Sequence, residues 1–250
     1  MNSISMSLIV TSYNSELFLT NFFIWIAKVR TYFQEIIIID DHSDDDSLKI
    51  IKNFSQSYEN VIIFQTKVNT GRPSIPRNIG VSIATSERLV FLDIGDLLPV
   101  KYIKFLSSQS ANDIFCGTKV PFLNESVNYE YDYDLTRKRF ISRIELKYKN
   151  TLPFSGSSLP RSIAKSLNFE NCPLEDWLYW KKITKLHQNI RLIKFTHVPI
   201  FWHSALSLSP KKIKQISRIS NINGLISIPL FLFFAFNLRF EEWRCKKILP

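Results

Sequence analysis

The sequence predicts an α/β fold with a mostly parallel sheet between layers of helices. Short apolar runs alternate with amphipathic helix patterns in the first half of the 250-residue chain, which is typical of parallel strands joined by right-handed crossovers. Four consecutive isoleucines in Glu35–Asp40 indicate a strand that is covered on both faces. The composition, 45% apolar and 22% charged, is that of a globular protein. The length allows one large domain with an appendage.

The predicted elements follow one another in a regular order. The strands are expected at Ser7–Thr11, Glu35–Asp40, Val61–Gln65, Leu89–Leu92, Asp113–Val120 and Asn189–Ile200. The helices are expected at Leu17–Phe33, from about Ser47, and at Ile75–Ala84, Pro99–Ser108, Pro160–Leu167 and Leu174–Leu186. Asn14 or Ser15 is expected to cap the first helix.

The alternation of strands and helices breaks in the segment Asn124–Asn150. Residues 128–134 are acidic and rich in tyrosine, and residues 137–149 are basic. Two interpretations stay open. The segment is either a loop that lies over a site or a solvated surface insertion.

Residues 211–250 differ from the rest of the chain and are predicted to form a basic, partly hydrophobic helical tail on a domain formed by residues 1–210. Within this tail, residues 219–238 carry no charge, although the run also contains Gly224 and Pro229. We interpret it as an interfacial helix at an anionic membrane surface. A helix packed on the domain is the second interpretation, and a membrane span is the third.

The net charge of +10 suits an anionic partner. The chain contains no recognisable nucleic-acid-binding motif, so we do not expect nucleic acid to be that partner. The three cysteines fit neither a disulfide framework nor a zinc site, and the first residues lack the basic segment of a signal peptide. We therefore expect a cytoplasmic protein, peripheral on the cytoplasmic face of the membrane.

Carboxylates follow two of the predicted strands directly. Asp40 and Asp41 end the second strand, and Asp93 and Asp96 follow the fourth. Ligands bind open α/β sheets at the carboxyl ends of the strands, and Mg²⁺ or Mn²⁺ is often held by one or two carboxylates together with substrate phosphates. Arg77 could bind phosphate oxygens. These residues predict a site for a nucleoside diphosphate.

Five short motifs occur in an order that resembles a known family. They are T-S-Y-N at 11–14, D-D-H-S-D-D-D-S at 40–47, N-x-G followed by R-N-x-G within 69–80, F-L-D-x-G-D at 91–96, and E-D-W at 175–177. The chain from about residue 6 to residue 205 resembles the family 2 glycosyltransferases, which are inverting, sugar-nucleotide-dependent enzymes of the GT-A fold. The resemblance implies a Rossmann-like mixed sheet and the transfer of a sugar, most simply from a UDP-sugar, to a glycan or lipid-linked acceptor.

The resemblance also implies roles for individual residues. Asp176 matches the family's general base. Thr11 and Tyr13 match contacts to the base and ribose of the nucleotide, and Asp41 matches a contact to the nucleobase. The positions that complete the donor-binding set are Asn69, Gly71, Arg77, Asn78 and Asp93.

The metal ligands are where this chain departs from the family pattern. Gly95 stands where the family commonly has the metal-binding aspartate, so we expect Asp96 to replace it through a shifted turn, with Asp93 and His203 as further ligands of Mg²⁺ or Mn²⁺. His203 could equally be a structural histidine. A weakened metal site leaves open a non-catalytic protein that binds nucleotide-sugars. A nucleotidyltransferase is a further alternative, but Thr11–Asn14 stands where its Gly-rich loop with lysine is expected.

Overall fold

The computed structural model describes residues 4–109, 112–121 and 134–202, without side-chain detail at 119–121 and 197–202. The strands are β1 (Met6–Ser12), β2 (Glu35–Asp40), β3 (Val61–Gln65), β4 (Arg88–Asp93), β5 (Asp113–Pro121), β6 (Lys138–Phe140), β7 (Ser158–Pro160) and β8 (Arg191–Trp202). The helices are α1 (Glu16–Val29), α2 (Ser47–Ser55), α3 (Ser74–Ile83), α4 (Val100–Ser107), α5 (Arg143–Tyr148), α6 (Arg161–Lys165) and α7 (Glu175–Leu186), with a 3-10 turn at Arg30–Tyr32. His203 and the predicted tail, including 219–238, lie outside the described residues.

The eight strands form one mixed sheet in the order β3-β2-β1-β4-β7-β5-β8-β6. β1 pairs in parallel with both β2 and β4, and β2 pairs in parallel with β3. The second half is mixed, because β7 is antiparallel to both β4 and β5 and β6 is antiparallel to β8. The α/β prediction is confirmed.

The structure adds detail to two parts of the sequence prediction. The predicted helix Pro160–Leu167 begins one residue later and is preceded by β7, whose three residues are too few to show a strand period. The described part of the segment Asn124–Asn150 is more than a solvated insertion, since it contains β6 and α5 and buries Leu146.

Helices cover both faces of the sheet. One face packs on α1, α2 and α4, and the other packs on α3, α5, α6 and α7. The isoleucines of β2 alternate between them, with Ile36 and Ile38 in the first core and Ile37 and Ile39 in the second. The four isoleucines thus form a doubly covered strand, as predicted. In the described part of the chain, no helix is both long and apolar enough to cross a bilayer.

Gly80 lets α3 lie directly on β1. A Cβ atom at this position would stand 2.4 Å from Cγ2 of Ile9, a fully buried residue in the middle of β1. We expect Gly80→Ala to lower the free energy of unfolding by about 1–3 kcal/mol through overpacking, measurable as a lower urea midpoint. Ser82→Ala, on the exposed side of the same helix, is the matched control. Equal midpoints for wild type and Gly80→Ala would show that α3 does not pack this closely.

Candidate active site

The ends of β1 and β4 bring Thr11 and Asp93 side by side. The two residues are paired in the parallel register, and the hydroxyl of Thr11 donates a hydrogen bond of 2.7 Å to Oδ1 of Asp93. The backbone N–H of Asp93 donates to Oγ of Ser155, which precedes β7. Both contacts fix a carboxylate at the carboxyl edge of the sheet, where the sequence predicted the site.

Arg77 lies behind this carboxylate and is only 3% exposed. Its Nη2 donates to both oxygens of Asp93 at 3.0 and 2.9 Å, and its Nη1 donates to Oε1 of Glu175 at 3.2 Å. The guanidinium stands 4.9 Å from the ring centre of Phe154 and 5.6 Å from that of Phe169. Burial alone would lower the pKa of Arg77, but the surrounding carboxylates outweigh it and raise that pKa.

Arg77 therefore joins two halves of the site. Asp93 belongs to the end of β4, whereas Glu175 begins α7 and directly precedes Asp176. Burial raises the pKa of Glu175, as does the charge of Asp176, while Arg77 acts in the opposite direction. The guanidinium offsets part of the cost of placing the largely buried carboxylate of Glu175 beside a second one.

Asp176 lies in the first turn of α7, partly exposed, with a donor on each carboxylate oxygen. The backbone N–H of Trp177 donates to Oδ1 at 2.7 Å, and Nδ2 of Asn150 donates to Oδ2 at 3.0 Å. The positive end of the helix dipole favours a charged carboxylate at this position. Leu174, just before the helix, adopts a left-handed backbone with φ of 60°, a strained conformation of the kind that clusters at functional sites.

Asp41 is buried and braces the loop that follows β3. Its carboxylate accepts hydrogen bonds from the backbone N–H and hydroxyl of Thr70 and from the hydroxyl of Thr66. Asp40 similarly holds the backbone N–H and hydroxyl of Ser43. The contact from Asp41 to a nucleobase stays a prediction, and the hydrogen bonds give this side chain a role in shaping the loop.

The loops after β1 and β2 lie against each other. The backbone N–H of Asn14 donates to Oγ of Ser43, and that of Asp44 donates to Oδ1 of Asn14. Both loops contain a residue with positive φ, Asn14 at 46° and His42 at 58°. The backbone at His42 is thus in the left-handed region, which glycine adopts without strain. Tyr13 is 47% exposed between these loops, where a planar ligand could stack on it.

The other residues predicted to bind the sugar-nucleotide lie in different surroundings. Asn69 is exposed, and its Oδ1 accepts a hydrogen bond from the backbone N–H of Gly71, whose φ is 75°. The amide of Asn78 instead binds both the backbone carbonyl and the N–H of Phe169. Asn78 thus positions the ring beside Arg77. Direct contact between Asn78 and a nucleotide stays a prediction.

The Asp93–Asp96 segment forms a tight turn. The N–H of Asp96 donates to the carbonyl of Asp93 at 2.9 Å, and Gly95 has a φ of 103°, which glycine adopts without strain. Asp96 is buried. Within the described ranges, no three histidine, cysteine or acidic residues are grouped so as to hold a metal ion, and the predicted ligand His203 lies outside them. Metal binding by Asp93 and Asp96 stays a prediction.

Sequence reasoning missed four residues that shape the site. Phe154 and Phe169 flank Arg77, Ser155 fixes the end of β4, and Asn150 contacts Asp176. They come from connecting segments without a periodic pattern or a family motif. One signal could have pointed to the two phenylalanines. A buried arginine such as Arg77 packs on aromatic rings as well as pairing with anions.

A family model for glycosyl transferase family 2 matches residues 7–165. The chain belongs to this family. Its structure has the GT-A fold, since it is similar to that of Staphylococcus aureus TarS bound to UDP-GlcNAc. The TM-score is 0.65 at 19% identity, covering 93% of this chain and 72% of the TarS chain. The mannosyltransferase PcManGT from Pyrobaculum calidifontis, in complex with GDP-Man and Mn²⁺, gives a TM-score of 0.59 at 16% identity, covering 86% of this chain and 61% of that one.

Sequence relatives of this family 2 chain include glycosyltransferases with named acceptors. It is 29% identical over 202 residues to the Escherichia coli UDP-Glc:alpha-D-GlcNAc-diphosphoundecaprenol beta-1,3-glucosyltransferase WfaP, covering 78% of this chain and 75% of WfaP. It is 33% identical over 101 residues to the poly(ribitol-phosphate) beta-N-acetylglucosaminyltransferase TarS of S. aureus, covering 39% of this chain. The chain spans only 14% of the length of the Bacillus spizizenii poly(ribitol-phosphate) beta-glucosyltransferase and 17% of the length of S. aureus TarS.

Proposed function

We propose that this chain transfers a sugar from a nucleoside-diphosphate sugar, in the first instance a UDP-sugar, to a hydroxyl of a glycan or lipid-linked acceptor with inversion at the anomeric carbon. The observation that carries the proposal is the guanidinium of Arg77, which links Asp93 at the end of β4 to Glu175 beside Asp176. Donor-side and acceptor-side carboxylates of the family motifs thus meet at one buried cation.

The donor would lie over the carboxyl ends of β1, β2 and β4. Tyr13 is exposed there, the loop braced by Asp41 forms one wall, and Gly71 offers backbone without a side chain in the way. The buried position of Arg77 suits a residue that shapes this pocket through Asp93.

The reaction follows from the position of the base. Asp176 takes the proton of the acceptor hydroxyl as the hydroxyl oxygen forms a bond to the anomeric carbon. The bond between that carbon and the diphosphate oxygen breaks on the opposite side, and its electron pair leaves with the diphosphate. One displacement of this kind inverts the configuration, and general-base assistance contributes about 10²–10⁴-fold to its rate.

The residues at the end of β4 fit a hard divalent cation. Asp93 and Asp96 are two carboxylates within one turn, and Mg²⁺ or Mn²⁺ often needs only one or two carboxylates when substrate phosphates complete its shell. When bound, the ion would neutralise charge that develops on the departing diphosphate. The protein's own contribution is to hold Asp93 in place through Thr11 and Arg77.

Two lysines on α5 and α7 are the basis for proposing an acceptor that carries phosphate. α5 is joined to α7 by a hydrogen bond of 2.6 Å from Nε1 of Trp177 to the carbonyl of Leu146. Lys147 follows on α5 and Lys181 lies one helical turn beyond Trp177. Burial, together with the charge of Lys147, lowers the pKa of Lys181, and two neighbouring cations favour an anion between them. Association with an anionic membrane surface would rest on residues 211–250.

A titration of UDP with and without Mn²⁺ tests the donor site. We expect the full chain to bind UDP and to bind it more tightly with Mn²⁺. In Asp96→Asn the Mn²⁺ enhancement should be lost while metal-free binding remains, because the backbone turn is kept. Lys138→Ala, on the exposed edge strand β6, is the control. Binding of UDP without any transfer would favour the non-catalytic alternative, and no UDP binding in any condition would contradict the proposal.

A further inference from the structure

The side chain of Asn150, which lies outside α7, forms a hydrogen bond with Asp176. It follows α5, and its Nδ2 donates to Oδ2 of Asp176 at 3.0 Å. An ionised carboxylate only accepts hydrogen bonds, so the amide nitrogen is the atom that must face Asp176 and the amide oxygen must point elsewhere. The orientation of this asparagine is therefore set by the contact with Asp176.

The amide oxygen of Asn150 destabilises the folded state. Oδ1 of Asn150 is buried and has no hydrogen-bond partner in the described part of the chain, and an unsatisfied buried carbonyl destabilises the folded state. A leucine of similar size would avoid this cost. A locally unfavourable residue with one well-formed contact is of the kind that occurs at functional sites.

Asn150 is not needed to hold α5 against α7. That junction is formed by the hydrogen bond between Trp177 and Leu146 and by the burial of both side chains. The contact with Asp176 thus has little to add to the packing. What it does is supply the second donor on the carboxylate, opposite the backbone N–H of Trp177 on Oδ1.

We propose that Asn150 is a positioning residue that fixes the rotamer of Asp176 so that the carboxylate meets the acceptor hydroxyl in a reactive orientation. With one donor on each oxygen, the plane of the carboxylate is fixed. A base that is misplaced by about 1 Å can lose on the order of 10²-fold in rate. The inference rests on the proposed function, since it takes Asp176 as the base.

The test compares steady-state kinetics of the full chain with those of Asn150→Leu. We expect kcat to fall roughly 10- to 100-fold, as for the loss of a hydrogen bond to a charged group, with the KM for the UDP-sugar unchanged. The Tm should be unchanged or higher, because the unsatisfied amide oxygen is removed. Asn60→Leu is the matched control, since its amide donates to the carbonyl of Phe33 away from the acids of the site, and it should leave kcat unchanged.

A double variant separates positioning from general damage. In an Asp176→Asn background, Asn150→Leu should cause no further loss, because the group it positions is already inactive. A full further loss in that background, or full activity of Asn150→Leu alone, would overturn the inference. Should the leucine variant fail to fold, Asn150→Ala is measured instead with the same expectations. If wild type is inactive or Asp176→Asn is fully active, it is the proposed function that fails.

Discussion

Replacing Asp176 by asparagine should reduce the rate of sugar transfer by about 10²–10⁴-fold, the usual contribution of a general base. The amide has the same shape as the carboxylate but cannot take the acceptor's proton. UDP binding should be unchanged, because the donor-side residues lie at the ends of β1, β2 and β4, whereas Asp176 lies in the first turn of α7. The measurement is the initial rate of product formation, paired with a UDP titration.

Glu170→Gln is the matched control for Asp176→Asn. Glu170 forms an exposed ion pair with Lys182, which lies on α7 as Asp176 does. Exposed pairs of this kind contribute little to the free energy of unfolding. We expect this variant to behave as wild type in both measurements. Full transfer activity in Asp176→Asn would remove Asp176 from the reaction, whereas loss of UDP binding would show that the two halves of the site cannot be separated.

Replacing Arg77 by leucine should damage both folding and activity. Arg77 is buried and contacts Asp93 and Glu175, so its loss leaves two carboxylates close together without a cation. Breaking a buried ion pair from one side typically costs about 3–5 kcal/mol. We expect a correspondingly lower urea midpoint and no measurable transfer. Arg77→Lys should be intermediate, because one ammonium cannot reproduce the planar fork that reaches both partners.

Arg137 provides the contrast for Arg77. Its ion pair with Asp134 is solvent-exposed, with side-chain exposures of 64% and 44%, and exposed pairs contribute about 0–1 kcal/mol. Arg137→Leu should therefore shift the urea midpoint only slightly. Equal midpoints for the leucine variants of Arg77 and Arg137 would contradict the view that Arg77 is the cation on which both carboxylates depend.

The parts of the site that the sequence predicted lie where a charge interrupts an apolar run. Asp40 and Asp93 stand at the ends of β2 and β4 because each follows a buried strand, and the parallel register then brings β1 and β4 together at Thr11 and Asp93. The four isoleucines of β2 likewise predicted a strand that is covered on both faces. In both cases the local period determines the structure.

The parts that the sequence did not predict depend on contacts between distant segments. Arg77 was expected to bind phosphate, and only the fold shows that its donors already meet Asp93 and Glu175. Asn150 contacts Asp176 although the two residues are 26 positions apart in the chain, and no sequence motif contains Asn150. β7 was missed because three residues show no period and the strand is defined by its antiparallel neighbours.

The most direct test of the account is UDP release from a panel of UDP-sugars by the full chain, in parallel with Asp176→Asn. The account predicts that at least one UDP-sugar is consumed by wild type with Mn²⁺ present, and that the rate of UDP release falls by about 10²–10⁴-fold in Asp176→Asn. Equal release by the two proteins for every donor that is turned over would contradict it.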